Sequence, residues 1–193
     1  AVEQRELANG ADHEQALAAV LEWLQANLGD ITLTAAGHRV VHGGADHSAP
    51  VLVDAALLNE LEALCALAPL HQPHNLTAIH AIRHLRPELP QVACFDTAFH
   101  RTQPLVAQRF ALPEEYAQRG VLRYGFHGLS YESTAQQLAE YDPAAAAGRT
   151  VVAHLGNGAS MCAMYGGKSI ATTMGFTALD GLMMGQRPGS IDP

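Results

Sequence analysis

The 193-residue sequence has little of what marks several large classes of protein. Its cysteines number three, Cys65, Cys94 and Cys162, far apart and each among apolar neighbours. An odd, scattered set builds no disulfide framework and fits a reducing cytoplasm. Basic residues are few: 11 Lys and Arg stand against 19 Asp and Glu, for a formal charge of −8. That balance leaves no electrostatic footprint for nucleic acid or for an anionic membrane. No apolar run approaches the ~20 residues that span a bilayer. The first residues, among them Glu3, Arg5 and Glu6, form no apolar core of a signal peptide. Charged residues make up only 16% of the chain and hydrophobic ones 48%. This is the composition of a globular protein, and the length allows one or two domains with a sizeable core.

What is present is a mixed α/β pattern. A helix is expected over 13–28, with Leu17, Val20, Leu21, Leu24 and Leu28 on one face, an Asp12/Gln15 capping box and Gly29 as its stop. Ile31, Leu33 and Ala35 alternate towards Val40-Val41, which reads as a strand over 31–41 ended by Gly43-Gly44. Further helices are expected over 55–67, capped by Asp54, and over 75–86, with Leu76, Ile79, Ile82 and Leu85 inward. Val92–Phe95 suits a buried strand. Ser130 reads as the cap of a helix carrying Tyr131, Ala135, Leu138 and Ala139 inward, and 142–148 as a small-residue loop. Residues 150–155, 159–165 and 168–173 read as an antiparallel meander, with a Gly166-Gly167 hairpin turn.

Four constellations could carry chemistry. The Leu155-Gly-Asn-Gly158 turn could point main-chain N–H groups at an anion, or be an ordinary hairpin turn. In Phe95-Asp-Thr-Ala-Phe-His100, Asp96 falls at the end of a buried strand, where sheets present functional side chains. It could orient a substrate or a metal-bound water, or cap the next helix. In Tyr124-Gly-Phe-His-Gly128, flanking glycines could hold the His127 imidazole beside a phosphoryl oxygen, or His127 could be an ordinary loop residue. Arg39 and Arg187 sit in Gly-bounded segments, where guanidinium forks bind carboxylate or phosphate, or form surface salt bridges. His80 and His84 have the i,i+4 spacing of some zinc ligands but lack the companion Glu and any Cys-x-x-Cys pair, while His71 and His74 read as a loop.

The order of these motifs is more specific than any of them alone. Gly37-His-Arg-Val-Val-His-Gly-Gly44 is followed by Ala68-Pro-Leu-His71 with Asn75, by the Asp96 and His127 motifs, by His154-Leu-Gly-Asn-Gly158, by Thr173-Met-Gly-Phe-Thr177 and by Met184-Gly-Gln-Arg187. From about Gly37 to Pro193 this resembles the acetate kinase (acetate/propionate kinase) family. The resemblance implies an α/β, actin/Hsp70/sugar-kinase-like (ribonuclease H-like) two-domain fold, partially represented. Residues 1–98 would be part of the N-terminal acyl-kinase domain and 99–193 the first part of the C-terminal nucleotide-binding domain. It implies transfer of the ATP γ-phosphoryl group to acetate or another short carboxylate, with Mg²⁺, in a cytoplasmic enzyme that is a homodimer at full length.

By the same resemblance Arg39 would bind the carboxylate, and Val41, Leu70 and Phe126 would line the acyl pocket. Asp96 would be the active-site carboxylate, and His127 and Arg187 would stabilise the transferring phosphoryl group. His154, Leu155, Gly156, Asn157 and Gly158 would meet the ATP phosphates, and no metal ligand is expected within the chain. The sequence departs from the family pattern at Ala178, where Pro is usual, at Asp180, where Glu is usual, at Gln186–Ser190, and at Tyr131, where His is common. Ala178 would lie near the acyl pocket, so some tolerance of propionate is expected. The family's N-terminal phosphate loop and its second half find no counterpart here. The chain therefore reads as an interior piece of a larger kinase, expected to be inactive by itself. A non-catalytic folded fragment and a His-based metal hydrolase are the alternative readings.

Overall fold

The computed structural model describes residues 12–27, 29–30 and 32–191; the expectations for Leu28 and Ile31 lie outside them. The first helix, α1 (His13–Asn27), opens with the expected box: the Gln15 N–H donates to Asp12 Oδ1 at 2.9 Å and the Asp12 N–H to Gln15 Oε1 at 3.1 Å. Strand β1 (Ala36–Val40) is shorter than its apolar alternation suggested, since Leu33 and Ala35 precede it. A two-residue strand, β2 (Val51–Leu52), leaves too little pattern to be seen in sequence. Helix α2 (Ala55–Ala63) is capped as expected by Asp54, whose side chain accepts from the Leu57 N–H at 2.8 Å. It tightens into a 3-10 turn over Leu64–Ala66. Helix α3 (Gln72–Leu85) starts three residues before the expected position because Pro73 is accepted in its first turn. His74 is thus helical rather than in a loop.

Strand β3 (Gln91–Phe95) is the centre of the first sheet, in the order β1-β3-β2, parallel to β1 and antiparallel to β2. Val40, Phe95 and Ala93 from this sheet pack with Leu57, Leu58 and Leu61 of α2 and Leu76 and Ile79 of α3. Full burial of each such aliphatic or aromatic side chain is worth roughly 1.5–3 kcal/mol, so this cluster fixes where the ends of β1 and β3 lie.

A 3-10 turn (Ala98–Thr102) and two short helices, α4 (Leu105–Gln108) and α5 (Glu114–Gln118), lead to α6 (Gly128–Tyr141). This helix begins at Gly128 rather than after Ser130, its N-cap being His127, and Ala139 is exposed rather than inward. The small-residue segment expected as a loop forms a short helix, α7 (Pro143–Ala147), because Asp142 accepts from the Ala145 N–H and Pro143 suits a first turn. The meander follows as β4 (Arg149–Leu155), β5 (Ala159–Tyr165) and β6 (Lys168–Thr172), antiparallel in that order. Tyr131 of α6 packs on Cys162 and Met164 of its inner face.

His100 links the two sheets. Its Nε2 donates to the Phe126 carbonyl at 2.9 Å, and its Nδ1 lies 2.9 Å from Ser169 Oγ on β6. Burial pushes its pKa down to about 4, helped by nearby Arg101 and opposed by the Phe126 bond. The imidazole is therefore neutral, as a fully buried link must be. Among the described residues no helix is long and apolar enough to cross a membrane.

Candidate active site

Because β1 and β3 are parallel, their C-terminal ends reach the same edge of the sheet. Arg39 near the end of β1 meets Asp96 just beyond β3. The Arg39 Nε lies 3.2 and 3.0 Å from the two Asp96 oxygens, and a terminal nitrogen reaches Oδ2 at 2.5 Å. The side chain of Asp96 is only 2% exposed and that of Arg39 is 62% exposed, so a buried anion is covered by a cation facing solvent. Hydrogen bonding to Asp96 raises the Arg39 pKa above its ordinary value despite partial burial. The Asp96 side chain thus holds Arg39 and does not cap the following turn.

The chain after β1 is pinned by the first turn of α3. Asn75 Oδ1 accepts from the Val41 N–H at 2.9 Å and Gln72 Oε1 from the His42 N–H at 3.1 Å, while Gln72 Nε2 donates to the His42 carbonyl at 3.0 Å. These bonds account for an early helix start and for the Asn75 noted in the sequence. They leave Val41 packed with Ala68, Phe126 and Met174, with Ala178 and Met184 at the margin.

His127 enters from the N-terminus of α6. Its φ of 62° is the only positive one on a non-glycine among the described residues. Backbone of this kind is sparsely populated and accumulates at functional sites. The Gly128 N–H donates to the Asp96 carbonyl at 2.8 Å, which ties this turn to the Arg39–Asp96 pair. The His127 ring stacks on His154 with centroids 4.1 Å apart, and its Nδ1 lies 2.8 Å from Ser160 Oγ. His154 Nδ1 in turn lies 3.0 Å from Ser130 Oγ. Burial, and then the charges of His154, Arg39 and Arg187, push the His127 pKa down to about 4. At neutral pH the imidazole carries no charge and can offer one N–H as a donor.

The β4–β5 turn and the last described segment close the arrangement. A Cβ placed on Gly158 would lie 2.7 Å from His127 Nε2 and 2.9 Å from a terminal nitrogen of Arg187. Two side-chain nitrogens therefore converge over Gly158, and any side chain there collides with both. Arg187 is itself aimed by a bond from its other terminal nitrogen to the Ala178 carbonyl, 2.5 Å long.

A cleft of about 430 Å³ opens among these groups. Of the sequence-predicted site residues it is lined by Arg39, Val41, Asp96, Phe126, His127 and Arg187, and by His154, Asn157 and Gly158 of the β4–β5 turn. Leu155 and Gly156 do not line it. Strand alternation turns His154 inward and Leu155 outward, where it is 74% exposed. Leu70 is also 74% exposed and lines a separate, adjoining cavity of about 230 Å³ together with Ala178 and Arg187.

Sequence reasoning missed His71, Leu129 and Ser130, which line the main cleft. In the sequence Ser130 reads as a helix cap, and His71 as a loop residue within the Ala68–His71 motif with no role assigned to it. Burial and then the charges of Arg187 and Arg39 lower the His71 pKa, so it too faces the cationic side of the cleft.

Among the described residues no group of three or more His, Cys, Asp or Glu side chains is placed to hold a metal ion. His80 and His84 face different carboxylates, Glu62 at 3.3 Å and Glu14 at 2.6 Å. The cleft thus gathers two guanidinium groups and a neutral imidazole around one buried carboxylate, beside an apolar wall. Such a set suits an anion rich in oxygen that carries or meets a short alkyl group.

The acetokinase family profile matches residues 1–193. The acetate kinase of Rhodopseudomonas palustris (strain ATCC BAA-98 / CGA009) is 57% identical over 188 residues, covering 97% of this chain and 47% of the relative. That of Methylocella silvestris is 55% identical over 192 residues, covering 100% and 48%. The crystal structure of a propionate kinase from Francisella tularensis superposes with a TM-score of 0.88 at 43% identity, over 95% of this chain and 48% of that one. Porphyromonas gingivalis acetate kinase gives 0.83 at 38% identity, over 94% and 47%. The chain spans about half the length of the curated relatives it matches. Its fold is that of these kinases, the α/β actin/Hsp70/sugar-kinase-like class expected from the sequence and partially represented here. The chain belongs to the acetokinase family.

Proposed function

We propose that the protein of which this chain is part transfers the γ-phosphoryl group of ATP directly to the carboxylate of acetate, reversibly, giving acetyl phosphate and ADP. The observation that carries this reading is the convergence of Arg187 and His127 Nε2 over Gly158, in a cleft that Arg39 also lines. A carboxylate is already ionised at pH 7, its ordinary pKa being about 4, so the acceptor needs no base. The obstacle is repulsion between the carboxylate and the nucleotide phosphates. Arg39 binds the acyl carboxylate, and Arg187 with the neutral His127 donates to the oxygens of the phosphoryl group in flight. Transfer then rests on in-line placement and fixed charge.

Asp96 keeps Arg39 in place and is not a base. It is the carboxylate lining the cleft, and both its oxygens are engaged by Arg39. That donor set fits a Mg²⁺ delivered with ATP and held mainly by phosphate and water, with Asp96 the residue that would hold one of its waters. Bound there, the ion neutralises phosphate charge. His154, Asn157 and Gly158 meet the nucleotide phosphates. Residues 1–98 form part of the acyl-kinase domain and 99–193 the first part of the nucleotide-binding domain, in a cytoplasmic enzyme that is a homodimer at full length.

Propionate is the second acceptor. Ala178 beside Val41 and Phe126 leaves the apolar wall short of the bulk that Pro would add. The test is acyl hydroxamate formation by the full-length protein with ATP, Mg²⁺ and hydroxylamine. Acetate and propionate are expected to give product and butyrate much less. No product from any short carboxylate would overturn the reading, and equal kcat/KM for acetate and butyrate would overturn the role of the apolar wall.

A further inference from the structure

Behind His127, on the side away from the cleft, lies a buried polar chain that the phosphoryl-transfer reading does not use. Ser160 on β5 and Tyr131 on α6 are both fully buried. Ser160 Oγ stands between two partners, His127 Nδ1 at 2.8 Å and the Tyr131 hydroxyl at 2.5 Å. The direction of these bonds follows by elimination. The Tyr131 phenol keeps its proton, since burial pushes its pKa up to about 12. Among the described residues its hydroxyl has one hydrogen-bond partner, Ser160 Oγ. Ser160 Oγ is thus the acceptor of the phenol proton among the described residues, because a buried hydroxyl proton is not left unpaired. Ser160 must then donate its own proton to His127 Nδ1. A neutral imidazole that accepts at Nδ1 carries its hydrogen on Nε2, and Nε2 is the atom that converges with Arg187 over Gly158.

We propose that Tyr131 and Ser160 are positioning residues that hold His127 in the Nε2–H tautomer, so that its one N–H is a donor aimed into the cleft. The proposal deepens the acyl-kinase reading and rests on it for the purpose of that donor, while the tautomer itself does not depend on turnover. It also gives a physical content to the position where this sequence carries Tyr in place of the more common His. What the position must supply is a buried donor to Ser160. The unusual φ of His127 and its stacking on His154 fix the plane of the ring, and the Ser160 hydroxyl fixes which nitrogen is protonated. The stacked His154 cannot substitute for Ser160, because its Nδ1 is engaged with Ser130.

The test combines ¹⁵N NMR of the histidine side chains with steady-state kinetics on the full-length protein. The His127 signals are assigned by their loss in His127→Gln. At pH 7 the parent protein is expected to show a protonated Nε2 and a bare Nδ1. Ser160→Ala is expected to give a mixture of tautomers and to lower kcat about tenfold, with KM for the carboxylate nearly unchanged, as for a donor that matters in the transition state. Ser160→Thr, which keeps the hydroxyl, should retain the parent tautomer and most of the activity. Should Ser160→Ala fail to fold, Tyr131→Phe against Tyr131→His makes the same comparison, with His restoring a donor. An Nδ1–H tautomer in the parent overturns the proposal. So does an unchanged tautomer with unchanged kcat in Ser160→Ala and Tyr131→Phe. The Nε2–H tautomer, lost in Ser160→Ala, in a protein that phosphorylates no short carboxylate supports the relay and rejects the acyl-kinase reading.

Discussion

Asp96 lies almost wholly out of solvent with its carboxylate gripped by the Nε and a terminal nitrogen of Arg39, whose own side chain is more than half exposed. Arg39 lies on β1 and Asp96 just beyond the end of the parallel strand β3, 57 positions apart in sequence. The pair is asymmetric in what its loss would cost. Removing Arg39 strands a buried anion, whereas removing Asp96 leaves a cation that water can solvate.

Arg39→Ala is therefore expected to lower stability by about 2 kcal/mol, less than for a fully buried pair because solvent screens Arg39. Asp96→Asn is expected to cost less in stability but to free the guanidinium, raising KM for the carboxylate. Urea melts of the two variants beside carboxylate titrations check this. Near-normal turnover of Asp96→Asn at saturating Mg²⁺ would remove any need for charge at that position.

Gly158→Ala should separate stability from activity. Its Cβ would meet His127 Nε2 and Arg187 within 3 Å, and displacing either by about an ångström is enough to lose roughly a hundredfold in rate. The melting temperature should move little, since the turn lies at the edge of the meander. A variant of full activity would mean that the two donors do not act at that point.

Acid should destabilise the protein through His42 and His100, with His127, also lowered to about 4, acting in the same direction. His42 and His100 are fully buried, and burial followed, for His42, by the nearby Arg101 charge lowers each to about 4 from an ordinary value of 6.5. Between pH 6.5 and 4 the unfolded chain binds these protons and the folded chain does not. Stability is thus complete above pH 6.5 and falls as pH drops, by about 1.4 kcal/mol per unit for each histidine. Urea midpoints measured across that range check the slope. Substituting either residue by Gln should lessen the slope by that residue's share.

Ala178→Val should narrow acceptor choice. The added methyl groups face Val41, Phe126 and Met174, so kcat/KM for propionate should fall relative to acetate by about 1–3 kcal/mol. An unchanged ratio would mean that the acyl chain does not rest against Ala178.

Much of this was legible in the sequence because it rests on short-range chemistry. Asp54 and the Asp12/Gln15 box announce their helices, and the Gly-Asn-Gly and Gly166-Gly167 turns between apolar segments mark out β4 to β6. Other features depend on what the fold brings together. The hold of Gln72 and Asn75 on the chain after Val40 joins segments some 30 residues apart, which no local pattern records. The motifs place Leu70 and Leu155 in the cleft, whereas Leu70 lines the adjoining cavity and strand alternation turns Leu155 outward. His71 and Ser130 carried the opposite risk, since a loop histidine and a capping serine have ordinary local explanations. The Tyr131–Ser160–His127 chain joins α6 to β5 and could be seen only once the helix was laid on the sheet.

The most direct test is the effect of Arg187→Ala on acyl phosphate formation by the full-length protein, read as hydroxamate from acetate and ATP. A group that stabilises phosphoryl transfer should, when removed, lower kcat by roughly a hundredfold or more while KM for acetate changes little. A kcat close to that of the parent, or a loss confined to KM, would contradict the assignment of this cleft to phosphoryl transfer.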